Sequence, residues 1–148
     1  MLGYLWGLKT VAIFDFWTFE HILSGISIGH AVKKDNRKHI LRIHKNAPHS
    51  HKSAIRFDLV GVLFLGYLWE AIEHYLESGL LGEKIKYWFQ GVESWPNRLI
   101  ADPLMLVLGY YLSLKYPKFV VPARVLSILW LTVHIFIFPH SMYLQEFF

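Results

Sequence analysis

The stretch F-V-V-P-A-R-V-L-S-I-L-W-L-T-V-H-I-F-I-F, Phe119 to Phe138, carries one charged residue, Arg124. Crossing a hydrocarbon core takes about 20 helical residues. A helix in water needs a polar face, and this stretch has almost none. Working back along the chain, three more apolar stretches have comparable length, at about 97–115, 57–77 and 11–32. The composition agrees with that reading, at 54% hydrophobic and only 18% charged residues. The expected fold is all-α: a four-span transmembrane helical bundle forming a single integral-membrane domain over residues 1–148. Cysteine is absent, which excludes disulfides, thiolate nucleophiles and cysteine-based zinc or iron–sulfur sites. No signal-peptide pattern opens the chain, so the first span is expected to be retained.

The net charge of +4 does not point to nucleic acid, because eight of the 15 Lys and Arg fall between Lys33 and Arg56. Such a basic loop, 33–56, belongs on the cytoplasmic side. Both termini are then expected outside. The loop also contains His39, His44, His49 and His51, loosely spaced, and suits anionic lipid head groups better than a metal. Between spans two and three, Leu81, Ile85, Trp88, Phe89 and Val92 recur at helical spacing, which predicts one interfacial amphipathic helix on the outer leaflet. Trp17 and Trp69 fit an aromatic belt at that level. Gly25 and Gly29 form a G-x-x-x-G that favours close packing of span one against a neighbour.

With that orientation, the polar groups of separate spans arrive at one depth on the outer side. Asp15, Glu20 and His21 come from span one. The run W-E-A-I-E-H-Y-L-E, Trp69 to Glu77, contributes Glu70, Glu73, His74 and Glu77 on one helical face. Asn97, Arg98 and Asp102 open span three, with Glu93 just before it, and His134 and His140 end span four. Ionised carboxylates at that depth each cost at least about 2.5–3.5 kcal/mol unless hydrated, paired, protonated or neutralised by a cation. Carboxylate and imidazole donors suit zinc, iron or manganese, and carboxylates alone suit calcium. The expected metal ligands are drawn from Glu20, His21, Glu70, Glu73, His74 and Asp102. Glu20 and His21 point about 100° apart, so one is expected to face the pocket and the other a neighbouring span. Asp102-Pro103 also reads as an N-cap followed by proline at the first helical position.

The strings F-E-H-I-L-S-G-I, L-W-E-A-I-E-H-Y-L-E and S-W-P-N-R-L-I-A-D-P-L-M-L-V-L-G-Y-Y-L resemble the VanZ-like group of small bacterial membrane proteins. The matching positions are His21, Gly25, Trp69, Glu70, Glu73, Asn97, Asp102 and Gly109. The chain departs from that pattern in its Asp-Pro pair and its long basic loop. The resemblance implies an integral membrane protein tied to envelope or antibiotic-resistance functions, without supplying a reaction, and the bacterial inner membrane is the expected location. The expected function is therefore argued from the site: a metal-dependent hydrolase or transferase acting on a lipid or lipid-linked substrate. Glu70, Glu73 and Asp102 are the candidate catalytic residues, a divalent metal ion (Zn, Fe, Mn or Ca) is the cofactor, and Arg98 and Asn97 are candidates for gripping substrate. Alternatives are a non-catalytic accessory or cofactor-binding subunit with a protein partner in the membrane, or a cation or proton conduit.

Overall fold

The computed structural model describes residues 2–43, 51–89 and 91–138, and no strand occurs among them. A short helix, α1 (Leu2–Leu5), is followed by a non-helical segment that folds back on it. There the Ile13 N–H donates to the Tyr4 carbonyl at 2.9 Å and the Gly7 N–H to the Phe14 carbonyl at 3.1 Å. Helix α2 (Trp17–Ile43) starts late for a clear reason. The Asp15 carboxylate accepts from the N–H groups of Trp17 at 2.7 Å and Thr18 at 3.2 Å, and the Asp15 N–H donates to Thr18 Oγ1 at 3.0 Å. This reciprocal cap satisfies donors that a helix start leaves free. The first expected span therefore begins at 17 rather than 11.

Helix α2 continues through the Lys33–Lys38 run, and α3 (His51–Glu77) begins before the basic segment ends. Most of 33–56 is thus helix and not loop, because its Lys and Arg are good helix formers. His44, His49 and His140 lie outside the described residues. The surface helix α4 (Glu83–Phe89) buries no residue, in keeping with an amphipathic segment lying beside the bundle. A π-helical turn, Asn97–Ala101, runs directly into α5 (Asp102–Lys115). A 3₁₀ turn, Pro117–Phe119, leads into α6 (Val120–Leu131), which ends in a second π-helical turn, Thr132–Ile137.

The expected N-cap at Asp102 is corrected by that π turn. Asp102 is itself helical, at φ −67° and ψ −46°, and its backbone N–H already donates to the Asn97 carbonyl. The helix starts six residues earlier than the Asp-Pro pair suggests, after Pro96. The Asp102 side chain is left without a capping duty.

Helix α2 is central. It runs antiparallel to α3, by the pairs His21–Glu70 and Asn36–Asp58, antiparallel to α6, by Ser24–Ser127 and Ser27–Arg124, and parallel to α5, where Gly25 abuts Leu106 and Gly29 abuts Tyr110. Gly25 and Gly109 let α2 and α5 meet backbone to backbone, since a Cβ on Gly109 would lie 2.8 Å from the Gly25 Cα. Apolar packing inside is small in extent: Val62, Leu106 and Tyr110 form one cluster, and Ile26, Val120 and Ala123 another. Polar side chains fill much of the remaining interior, and large apolar ones face outward; Phe64 is 66% exposed and Phe136 71%. At the end of the bundle carrying the α2 C-terminal half, buried Asp58 accepts from Asn36 Nδ2 at 3.0 Å and from the Tyr110 hydroxyl at 2.8 Å, pinning α2, α3 and α5 together.

The fold is all-helical, and among the described residues one helical segment, Pro117–Ile137, is long and apolar enough to cross a membrane. The other expected spans miss that measure because Glu20, Asp58, Glu70, Glu73, Glu77, Arg98 and Asp102 interrupt their hydropathy. All seven of those side chains are buried within the bundle.

Candidate functional site

Three helix ends build one polar chamber: the start of α2, the end of α3 and the π turn leading into α5. On α3, residues 70, 73 and 77 are three and four apart, so a helix stacks them on one face. All three are buried, Glu77 completely. Glu77 bridges two cations. Its Oε1 pairs with Lys9 Nζ and its Oε2 with Arg98 Nη2, while Oε2 also accepts from the Glu93 N–H at 3.0 Å. Lys9 reaches Glu73 Oε1 as well, at 3.6 Å. Arg98 lies 3.5 Å from Glu93 Oε2 and 3.7 Å from Glu70 Oε2, and donates to His74 Nδ1 at 3.0 Å.

Lys9 was not legible as a site residue. A lone lysine among N-terminal apolar residues reads as a flank, yet it is only 3% exposed and sits over the acidic cluster. The loop holding Glu93 keeps it there: the Ser94 N–H donates to the Lys9 carbonyl at 2.8 Å and the Ser94 hydroxyl to the Ala12 carbonyl at 2.7 Å.

A second group within the chamber is organised differently. His21, Glu70 and Asp102 are all buried, and each presents a ligand atom within 4.8 Å of the others. His21 Nε2 lies 3.4 Å from Asp102 Oδ2 and 3.8 Å from Glu70 Oε1. Both Asp102 carboxylate oxygens and Glu70 Oε2 are buried with no hydrogen-bond partner. Buried acceptors without partners are rare and each asks for an explanation, an ion among them. One imidazole and two carboxylates form a donor set that zinc, iron or manganese accepts. The three residues are therefore placed to hold a metal ion.

The other expected site residues take different positions. Glu20 turns away from the triad toward α6, accepting from the hydroxyls of Ser24, at 2.7 Å, and of Ser127. Glu73 pairs with Lys9 outside the triad. His74 is exposed on the chamber rim, bonded to Arg98. At about 100° per residue it falls at the edge of the arc that Glu70, Glu73 and Glu77 occupy. Asn97 is fully buried and structural, its amide donating to Asp15 Oδ2 at 3.1 Å and Glu93 Oε1 at 2.8 Å. Arg98 is taken up by carboxylates and His74. His134 packs its ring against Trp130 and Trp17 instead of joining the chamber.

Beside the triad, a cleft of about 340 Å³ opens between α2, α3 and α6. Its polar wall is Glu20, His21 and Ser24, and its remaining lining includes Leu65, Leu68, Ile72, Leu106 and Leu131. His21 thus belongs to both the triad and the cleft.

Glu93, in the loop before the π turn, shows what this crowding does to a carboxyl group. Burial first, and then the negative charges of Glu73, Asp102 and Glu70, push it up from 4.5 to about 11. A group so raised is expected to be neutral at pH 7. The sign of the linkage follows: the fold keeps a proton that the unfolded chain releases, so this group's contribution is complete below 4.5 and is lost as pH rises toward 11. Glu93→Gln is accordingly expected to melt above the wild type in detergent at pH 9, with the gap closing by pH 4. A gap independent of pH counts against a neutral Glu93.

Comparison with known proteins gives no matching family model, no matching curated protein and no matching solved structure.

Proposed function

We propose that the chain is a four-span integral membrane protein whose His21, Glu70 and Asp102 hold a divalent metal ion, and that it acts on a lipid or lipid-linked substrate. The observation carrying this reading is the buried triad, with both oxygens of Asp102 unpartnered, sharing His21 with an apolar cleft.

The membrane part rests on the distribution of side chains. Charged groups occupy the interior while Phe64, Val60, Val121, Ile128 and Phe136 face outward. In water such an arrangement exposes far more contiguous apolar surface than monomeric soluble proteins show; in lipid it is the expected one, because intramembrane ionisable residues face the bundle interior. Only 17% of the apolar window within Pro117–Ile137 is buried, whereas the core helix of a soluble fold is mostly buried. The basic stretch of α2 and α3 lies at the end opposite the chamber, which by the positive-inside rule favours a chamber on the non-cytoplasmic side. The strings that resemble the VanZ-like group contain His21, Glu70 and Asp102, in keeping with a bacterial envelope role.

Bound at the triad, a divalent metal supplies Lewis acidity toward an ester or phosphoryl oxygen. The chain's own residues do the rest. Glu70 and Asp102 set the charge of the site at minus two, matched to a divalent cation. Arg98 holds Glu70 in place from behind, the role that an outer partner of a ligand plays. Glu20, held by Ser24 and Ser127 in the cleft wall, is the carboxylate placed to take a proton from a nucleophile there. The apolar lining of the cleft takes the hydrocarbon part of the substrate. A conduit is disfavoured, since apolar Val62 and Leu106 separate the chamber from the Asp58–Tyr110 pair.

Elemental analysis of the detergent-purified protein tests the metal. About one equivalent of divalent metal per chain is expected, falling to background in His21→Ala/Asp102→Ala, while Glu83→Ala on the exposed α4 keeps it. Less than half an equivalent after incubation with zinc, manganese, iron(II) or calcium would falsify the metal reading.

A further inference from the structure

A second cleft, of about 560 Å³, lies at the end of the bundle opposite the chamber, between the second half of α2 and the start of α6. Its polar lining is His30, Lys34, Asp35, Lys38 and Arg124. His30, Lys34 and Lys38 recur every four residues and form one stripe along α2. Arg124 faces them from α6, its Nε donating to Ser27 Oγ at 3.1 Å, which fixes the plane of the guanidinium. Three cations therefore converge with one carboxylate. That carboxylate also lies near a histidine, with Asp35 Oδ2 3.4 Å from His39 Nε2. Among the described residues neither Lys34 nor Lys38 has an ion-pair partner, and His30 Nδ1 is buried without a hydrogen bond. Like charges held together without an anion repel one another, so the arrangement favours a bound anion.

We infer that this cleft binds the phosphate of an anionic phospholipid, with Lys34 and Arg124 as its principal contacts. A phosphate-bearing solute offers the same charge, but the cleft's other wall is apolar: Pro117, Val120 and Val121, with Val121 67% exposed. Pro117 and Val121 also begin the segment that is long and apolar enough to span a bilayer. A head group seated on the cations leaves its acyl chains along that surface. The inference rests on the membrane reading given above and is independent of the metal.

The test uses the whole protein in neutral detergent, titrated with phosphatidylglycerol or phosphatidylcholine of identical chains and read by native mass spectrometry. Each Lys or Arg near an anionic lipid surface contributes about fivefold in affinity. The wild type is expected to prefer phosphatidylglycerol by about tenfold or more, and Lys34→Ala/Arg124→Ala to lose that preference. Lys34→Arg/Arg124→Lys keeps both charges and is expected to keep the preference, which separates loss of the site from loss of the fold. Lys84→Ala/Lys86→Ala, removing two charges from α4, is expected to change nothing. Equal binding of the two lipids by the wild type, or the same loss in the α4 variant, overturns the inference. Displacement of phosphatidylglycerol by millimolar inorganic phosphate assigns the cleft to a soluble anion and overturns the lipid assignment. Release of the chain from membranes by alkaline carbonate brings down the membrane reading and this inference together; retention without lipid preference brings down this inference alone.

Discussion

Glu77→Ala is expected to lower the stability of the protein by about 3–5 kcal/mol, the cost of removing one partner from a buried ion pair. Glu77 is fully buried and is the shared anion of Lys9 and Arg98. Its loss leaves two buried cations short of a counter-charge and takes away the acceptor of the Glu93 N–H. The N-terminal segment and the loop at Ser94 should loosen together, because Lys9 is their common anchor. Thermal melting in detergent, followed by the fluorescence of the six tryptophans, measures the effect. The exposed pair Glu83–Lys86 serves as the comparison, since a solvent-facing pair contributes at most about 1 kcal/mol. A cycle with Lys9→Met sharpens the argument. The double variant Lys9→Met/Glu77→Ala should lose clearly less than the two single losses added. Strict additivity, or a Glu77→Ala melt as mild as Glu83→Ala, would mean the contacts carry no coupling.

This network also marks how far the sequence could be read. The α3 stripe was legible because helical periodicity alone places Glu70, Glu73 and Glu77 on one face. The meeting of α2, α3 and α5 at one level followed from hydropathy and loop charge. Lys9 was not legible, since its role depends on a non-helical fold-back that carries no periodicity. The His21 and Glu20 directions were bounded by their angular separation but not assigned; only the packing of α6, through Ser127, decides which of them enters the triad. His74 looked equivalent to Glu73 because spacing does not fix how a helix is rotated about its axis.

The start of α5 shows a different limit. Asp followed by Pro is a strong local signal for a helix N-terminus, and here the π turn overrides it by carrying the helix back to Asn97. That extra turn is where the functional consequence lies. A capping Asp102 would have its oxygens occupied by backbone N–H groups, whereas the observed one has both oxygens unpartnered beside His21. The basic segment 33–56 fails as a loop for the opposite reason. Charge was read as loop character, although Lys and Arg propagate helices well, and the extension of α2 past its apolar part is what builds the second cleft with Arg124.

Gly109→Ala should be strongly damaging for the addition of a single carbon. The new Cβ would meet the Ile22 carbonyl oxygen and lie 2.8 Å from both the Gly25 Cα and the Ile26 nitrogen. Every one of those atoms is backbone, so no side chain can rotate away and α2 and α5 must move apart. Overpacking a close contact typically costs about 1–3 kcal/mol, and here the loss should sit at the upper end. Gly66→Ala is the matched comparison: its Cβ would come 2.7 Å from Leu106 Cδ2, the far end of a flexible side chain, and the expected cost is well below that of Gly109→Ala. The same displacement reaches the triad. His21 lies one turn before Gly25 on α2 and Asp102 two turns before Gly109 on α5, and their 3.4 Å separation depends on how closely those helices approach. Gly109→Ala is therefore expected to lower metal content along with melting temperature, while Gly66→Ala keeps its metal. Equal melting temperatures for the two variants would mean that the α2–α5 approach is not what holds the bundle, and would remove the link between helix spacing and the site.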